Sequence, residues 1–359
     1  MNFDTSEEQE LLQDTIGKWA SSECPPVRVR EFFDGEAPHD PSLWQGLCEI
    51  GVAGLVVPEA HGGAGLELID LALVAETLGF HGVPGPFLGH ALACVALAHG
   101  GSPEQQRCWL PRLASGEVLG TVALAESGAR WLPADWQLRL DGGALRGAKR
   151  FVPSGEVADL LVIGTAGGGL ALVESRAAGV VAKSYPGVDR ARRVADVAFE
   201  GATCEPLARG AEAAARVRDA GLVLLAADAF GAASRLVDMA VSYAKTREQF
   251  GVTIGHFQAL KHQLANMAVE IEPARGLFWY AAHAFDRVPR DAERFAALAK
   301  AHITERGMQV ARDVVEAHGG IGFTWECDVQ IWFKRVMFDR AWLGTPSLHR
   351  ERAAKLAGW

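Results

Sequence analysis

One apolar stripe constrains this chain more than any other feature. Leu222, Leu225, Ala229, Ala233, Leu236, Ala240 and Tyr243 recur every three or four residues. That spacing lays a continuous apolar face along a long helix, and the face must be buried against something. Gly255 to Ala282, Asp291 to His318 and Asp328 to Leu343 continue in the same way. Four long helices of this kind predict an antiparallel bundle that fills the C-terminal part of the chain.

The rest of the chain changes character once more. From Thr5 to about Ser115 it also reads helical. Thr5 and Glu8 form a T-x-x-E capping box, followed by Leu11, Leu12, Ile16, Trp19 and Ala20 at helical spacing. Ser42-Leu43-Trp44 opens a short helix that ends near Gly51. Pro58 to Gly65 is a glycine-rich loop, Leu68 to Leu78 is helical with Gly79 closing it, and Pro103 to Leu113 gives one more helix. Between about Gly116 and Leu207 the period shortens. Val118 to Leu124, Trp136 to Leu140, Ala148 to Val152, Asp159 to Gly164, Gly169 to Val173 and Val194 to Phe199 are short runs rich in Val, Leu and Phe. Asp141-Gly142-Gly143, Ser154-Gly155, Gly167-Gly168-Gly169 and Pro186-Gly187 separate them as turns. This predicts an antiparallel sandwich or barrel. The fold class expected is α+β: an N-terminal helical domain over 1–115, a middle β domain over 116–209 and a helical bundle over 210–359.

Composition removes several functions. Acidic residues outnumber basic ones 44 to 35, for a formal net charge of −9. Nucleic-acid and anionic-membrane binders need the opposite excess, so neither partner is expected. Cys24, Cys48, Cys94, Cys108, Cys204 and Cys327 contain no CxxC spacing and read as core thiols of a reducing compartment. Met1-Asn2-Phe3-Asp4 enters an acidic helix start with no basic or apolar leader pattern. Ala91 to Ala98 and Gly221 to Ala227 fall short of the ~20 residues of a membrane span. A soluble, cytoplasmic protein without membrane insertion is expected.

Among local motifs, Gly62-Gly63-Ala64-Gly65 lacks the G-x-G-x-x-G spacing and a surrounding βαβ unit, so it reads as a loop between helices. The eleven histidines include no HExxH and no ligand-spaced set, and no metal is expected. No G-x-S-x-G elbow supports a hydrolase. Arg247-Glu248-Gln249-Phe250-Gly251 is different, because it ends a long helix just before Ile254-Gly255-His256-Phe257-Gln258 opens the next. An arginine there can simply complement the helix dipole. A planar donor fork beside a glycine and a new helix start is also how a pyrophosphate is held. His318-Gly319-Gly320-Ile321-Gly322-Phe323 likewise reads as a C-cap or as backbone open to a bulky ligand.

Taken in order, these segments resemble the acyl-CoA dehydrogenase family nearly end to end. Thr5-Ser6-Glu7-Glu8-Gln9 looks like its first helix, and Val57-Pro58-Glu59 with the glycines resembles its P-E-x-x-G-G-x-G loop. Val122 to Gly128 resembles A-L-T-E-P-x-A-G-S-D. Lys149 to Gly155 resembles K-x-W-I-T-N-G. Arg247 to Gly251 resembles R-x-Q-F-G, and Phe257-Gln258 with Ala265 and Met267 resembles F-Q-x-x-x-x-x-x-A-x-M. Glu316 to Gly320 is similar to Q-x-x-G-G. The resemblance implies a flavoenzyme that converts an acyl-CoA substrate to its α,β-enoyl form. A carboxylate removes the α-proton, the β-hydride passes to flavin N5, and an electron-transfer flavoprotein or similar acceptor takes the electrons. It also implies an FAD shared across a subunit interface, hence a homo- or hetero-oligomer. Cofactor-binding positions carried over are Leu124, Ala125, Phe151, Val152 and Thr345, with Arg247, Gln249, Phe250, Glu316, Gly319 and Gly320 reaching a neighbour's FAD.

The sequence departs from the family where the chemistry is done. The base expected in a Y-E-G-T motif falls on Leu343 of Trp342-Leu343-Gly344-Thr345, and the alternative base position falls on Gly221. Asp219 lies about 200° around the helix from Gly221 and points elsewhere. Ala125 and Pro153 replace two threonines that bond the flavin edge, Glu316 replaces a glutamine, and Arg130-Trp131-Leu132 replaces G-S-D. Three readings follow. The chain is a dehydrogenase similar to steroid and branched-acyl members, whose base is an unrecognised carboxylate or comes from a partner. Alternatively, it is the non-catalytic half of a heteromeric pair that completes its partner's FAD site. A flavin-free acyl-CoA or protein scaffold is the third.

Overall fold

The computed structural model describes residues 4–185 and 187–359. Met1, Asn2 and Phe3 of the N-terminal reading, and Pro186 of the expected Pro186-Gly187 turn, lie outside the described residues. Six helices come first: α1 Glu7–Glu23, α2 Pro26–Asp34, α3 Pro41–Glu49, α4 Leu68–His81, α5 Phe87–Gly100 and α6 Pro103–Ala114. Strands follow: β1 Gly120–Ala123, β2 Leu140–Asp141, β3 Ala144–Pro153, β4 Leu160–Thr165, β5 Gly169–Glu174, β6 Val180–Tyr185, β7 Val194–Thr203 and β8 Glu205–Pro206. The long α7, Gly210–Thr246, leads into a small hairpin of β9 Glu248–Gln249 and β10 Val252–Thr253. Then come α8 Gln258–Ile271, α9 Arg275–Arg287, α10 Pro289–His318, α11 Val329–Ala341 and α12 Pro346–Leu356.

Several local expectations shift. Ser6, not Thr5, caps α1: its hydroxyl accepts from Gln9 N at 3.2 Å, and Gln9 Oε1 accepts from Ser6 N at 3.0 Å. This S-x-x-Q box satisfies the same two helix-end amides. α4 continues past Gly79 and is closed by Gly82 at φ +68. Gly79 instead lets α7 approach, since a Cβ there would stand 2.3 Å from Asp228 O. The single helix expected over Gly255 to Ala282 is two, because Pro273 has no amide to donate and a 3-10 turn, Glu272–Ala274, intervenes. α5 read only as an apolar run because it is buried all round and shows no polar face.

The strands form two four-stranded sheets, ordered β1-β4-β5-β8 and β2-β3-β7-β6. One pair departs from the antiparallel pattern: β1 runs parallel to β4, with Gly120 opposite Leu160. The chain crosses to the second sheet after β1 and re-enters beside it in the same direction. Alternation along β4 explains why it is buried on both faces. Leu160 and Val162 join the helical core with α5 and α7, while Leu161 and Ile163 join the smaller core between the sheets. α7 is the one described helix long and apolar enough to cross a membrane, but 89% of its most apolar window is buried inside the fold. It is the central helix of the core.

Candidate functional site

The turn after α11 holds the first candidate position. Lys300 on α10 is fully buried and donates to the carbonyls of Asp339 and Trp342, the latter at 2.9 Å. His349 Nε2 bonds Leu343 O at 2.8 Å. Burial pushes Lys300 down to about 7 and His349 down to about 3, so the imidazole is neutral and donates to that carbonyl through Nε2–H. These bonds hold Leu343 at φ +60, a conformation uncommon outside glycine. Its side chain, 1% exposed, is thereby turned onto α7. A Cβ built on Gly221 would lie 2.5 Å from Leu343 Cδ1 and 3.4 Å from Leu92 Cδ1. The two base positions thus meet at one point in the core, and leucine fills it.

Among the described residues, the nearby carboxylates Asp219 and Asp339 are already engaged by arginines. Asp219 is engaged by Arg218 at 2.8 Å and Arg352 at 3.6 Å. Asp339 belongs to a buried network: Arg192 reaches Asp339 at 2.7 Å, Asp189 at 2.8 Å and Asp228 at 3.4 Å, while Arg335 grips Asp228 through both carboxylate oxygens. Burial, with the Asp228 charge beside it, holds the Asp339 carboxyl well above the usual range despite Arg192. Its Oδ1 is occupied by the Arg192 guanidinium, so this carboxyl is not free to serve as a base. Sequence reading missed this network. Its signal is charge embedded in apolar helix, as Lys300 lies between Ala299 and Ala301.

The sheet positions converge beside that turn. Lys149 is fully buried on β3 and donates to Glu126 Oε1 at 2.7 Å and to Leu124 O at 3.1 Å. Burial lowers Lys149 to about 8 against the pull of Glu126. Burial also opposes ionisation of Glu126, but Lys149 and the Leu138 and Gln137 amides keep its carboxyl below the ordinary range. This pair pins Leu124 and Ala125 to β3, where Ala125 O also accepts from Arg150 N at 2.9 Å. Val152 is buried, and Phe151, at φ +54, is 37% exposed. Trp342 Nε1 donates to Phe151 O at 2.9 Å. Thr345 follows the turn, where its hydroxyl caps α12, accepting from Leu348 N at 3.4 Å.

The remaining positions form an exposed surface. Arg247 caps α7 and makes no ion pair among the described residues; Gln249 and Phe250 follow on the hairpin, both exposed. Phe250 and Gly251 form the two-residue turn at φ +55 and +79, and Phe250 is 91% exposed. A phenylalanine at positive φ, presented to solvent, is a strained arrangement of the kind found at binding sites. Tyr243 stacks on His318 at 4.5 Å, which brings the end of α7 beside the end of α10. Gly319, at φ +66, and Gly320 have open space where a Cβ would stand, and Glu316 is exposed one turn earlier.

The acyl-CoA dehydrogenase N-terminal domain model matches residues 6–117, and the acyl-CoA dehydrogenase C-terminal domain model matches residues 208–357. The chain belongs to the acyl-CoA dehydrogenase family. Acyl-CoA dehydrogenase IpdE2 of Mycolicibacterium smegmatis is 36% identical over 352 residues, covering 98% of each chain. A variant of the Tcur3481-Tcur3483 steroid ACAD has 32% identity and a TM-score of 0.89, with 98% of each chain covered. The ChsE4-ChsE5 complex from Mycobacterium tuberculosis has 28% identity and a TM-score of 0.90, covering 100% of this chain and 99% of that one.

The family is FAD-dependent, and the two halves of this chain fit that cofactor differently. The exposed half fits. A guanidinium with no ion pair among the described residues, and two glycines with open space where a Cβ would stand, suit a pyrophosphate. The sheet half does not. Ala125 and Pro153 offer no hydroxyl, and Phe151 is bonded directly to Trp342.

Proposed function

We propose that this chain is the subunit without a base in a heteromeric acyl-CoA dehydrogenase, and that it completes the FAD site of a glutamate-bearing partner. One observation carries the reading: Leu343 rests on Gly221, so both places that could hold the base are apolar and filled. The retained surface supports it, because Arg247, Gln249, Phe250, Gly319 and Gly320 are exposed, where another chain's cofactor can meet them.

In the assembly, FAD bound to the partner supplies the hydride acceptor for oxidation of an acyl-CoA thioester. Arg247 neutralises the pyrophosphate through its planar fork, and the Gly319-Gly320 backbone lets the cofactor approach closely. Phe250 covers apolar surface at the same edge. Glu316 adds a negative charge, which is unfavourable beside a pyrophosphate unless it is paired. The partner's carboxylate removes the α-proton, and electrons leave to an electron-transfer flavoprotein or a similar acceptor. The ChsE4-ChsE5 structure, a complex of two named chains, is a precedent for such a pairing.

The test is to co-purify the chain with a glutamate-bearing acyl-CoA dehydrogenase subunit and replace Arg247→Ala. Losing a charge-assisted fork worth up to ~3 kcal/mol should weaken FAD retention by roughly 100-fold. Unchanged flavin occupancy in an intact assembly would remove the proposed role.

A further inference from the structure

We infer that Trp131 occupies the flavin-ring slot of this chain, so that the sheet which forms the cofactor site elsewhere in the family is closed to FAD here. The inference rests on the partner-subunit reading and deepens it, by assigning the loss of the chain's own flavin to one side chain.

Trp131 stands where the family resemblance places the serine of A-G-S-D. Its indole lies nearly parallel to Phe151, with ring centroids 5.7 Å apart and planes at 23°. It meets Trp342 edge-on at 6.4 Å and 69°, and Phe338 stacks behind Trp342 at 6.1 Å and 13°. The indole therefore touches both Phe151, a strand position that the resemblance assigns to the cofactor, and Trp342, the residue before the expected base position. Those two walls are also joined directly by the 2.9 Å bond from Trp342 Nε1 to Phe151 O. A flat ring slipped between two walls needs them about 7 Å apart, two contacts of about 3.5 Å each.

The polar side of the slot has gone as well. Arg150 N is spent on Ala125 O and Ser154 N on Arg193 O, both as backbone bonds, and Pro153 has no amide. A flavin edge buried there would leave its nitrogen and oxygen acceptors unpaired. On their outer side Trp131, Phe151 and Trp342 line a pocket of about 380 Å³, whose opposite wall is Val188, Val194, Met337 and Phe338 with Tyr185. That wall is apolar except for one phenol.

The experiment uses the full chain purified alone, in four forms: unchanged, Trp131→Phe, Trp131→Ser, and Trp131→Ser combined with Ala125→Thr and Pro153→Thr. FAD binding is followed by equilibrium dialysis, and cooperative thermal melting confirms that each form is folded. The unchanged and Trp131→Phe chains should retain no FAD, because both keep an aromatic ring in the slot. Trp131→Ser should bind FAD measurably, and the combined form at least roughly tenfold more tightly. Stoichiometric FAD on the unchanged chain, or no gain in a folded combined form, would overturn the inference. The partner-subunit reading fails separately, through Arg247→Ala in the assembly, because that flavin is held on the other chain.

Discussion

Two regions of this molecule carry the same family motifs and have diverged in opposite ways. At the end of α7 and α10, Arg247, Phe250 and the Gly319-Gly320 turn remain exposed, and the guanidinium makes no ion pair among the described residues. Around the Trp342-Leu343 turn, carboxylate and hydroxyls are gone, and leucine and aromatic rings pack into the space. A surface kept in a costly backbone conformation and an interior allowed to fill teach one lesson. On the proposed reading, the motif stays open where it would serve a neighbour and becomes core where it would serve the chain itself.

If so, substitutions in the interior should cost stability, and those at the surface should cost flavin. The largest stability loss is expected for Lys149→Met, which strands the Glu126 carboxylate in the core at a cost of about 3–5 kcal/mol. Urea unfolding of the chain alone measures it, and a loss under about 1 kcal/mol would show that Glu126 finds solvent. Leu343→Ala should cost about 2–5 kcal/mol by opening a cavity over Gly221. Its companion, Leu343→Glu, places a carboxyl against Leu92 and Gly221 and should yield no desaturation with any acyl-CoA assayed. Activity gained by that variant would mean that a competent pocket lies behind the leucine.

A smaller effect comes from pH. Burial holds Lys300 near 7, so above that pH the folded chain has lost a proton that the unfolded chain keeps up to the ordinary lysine range. Stability should therefore rise with pH through that window, at up to about 1.4 kcal/mol per pH unit, and Lys300→Met should flatten the rise. Equal slopes in the two proteins would place the titration elsewhere. Smallest of all in stability is Arg247→Ala, expected to lie within about 0.5 kcal/mol of the unchanged chain. The surface half of the comparison is then read in flavin alone.

Much of the fold was legible because helix and strand write different periods into the sequence. The stripe on α7 and the short, turn-bounded apolar runs of β4 and β5 are examples. α5 was not legible as a helix, since burial on every side erases the stripe, and the parallel β1–β4 pairing depends on the path of the chain rather than on period. At the site, the absence of a base at Leu343 and Gly221 was visible, but not that the two residues touch. Trp131, Phe151 and Trp342 come from three separate elements, and only folding brings their rings together. The Arg192–Asp339–Asp228–Arg335 network escaped for the same reason, as each charge alone reads as a solvated residue.

The most direct test of the central claim is the visible absorption spectrum of the chain expressed alone, set beside that of the same chain co-expressed with a glutamate-bearing partner. A colourless chain that becomes part of a yellow complex, bleached by acyl-CoA, is the predicted result. A yellow chain that bleaches with acyl-CoA on its own would contradict it.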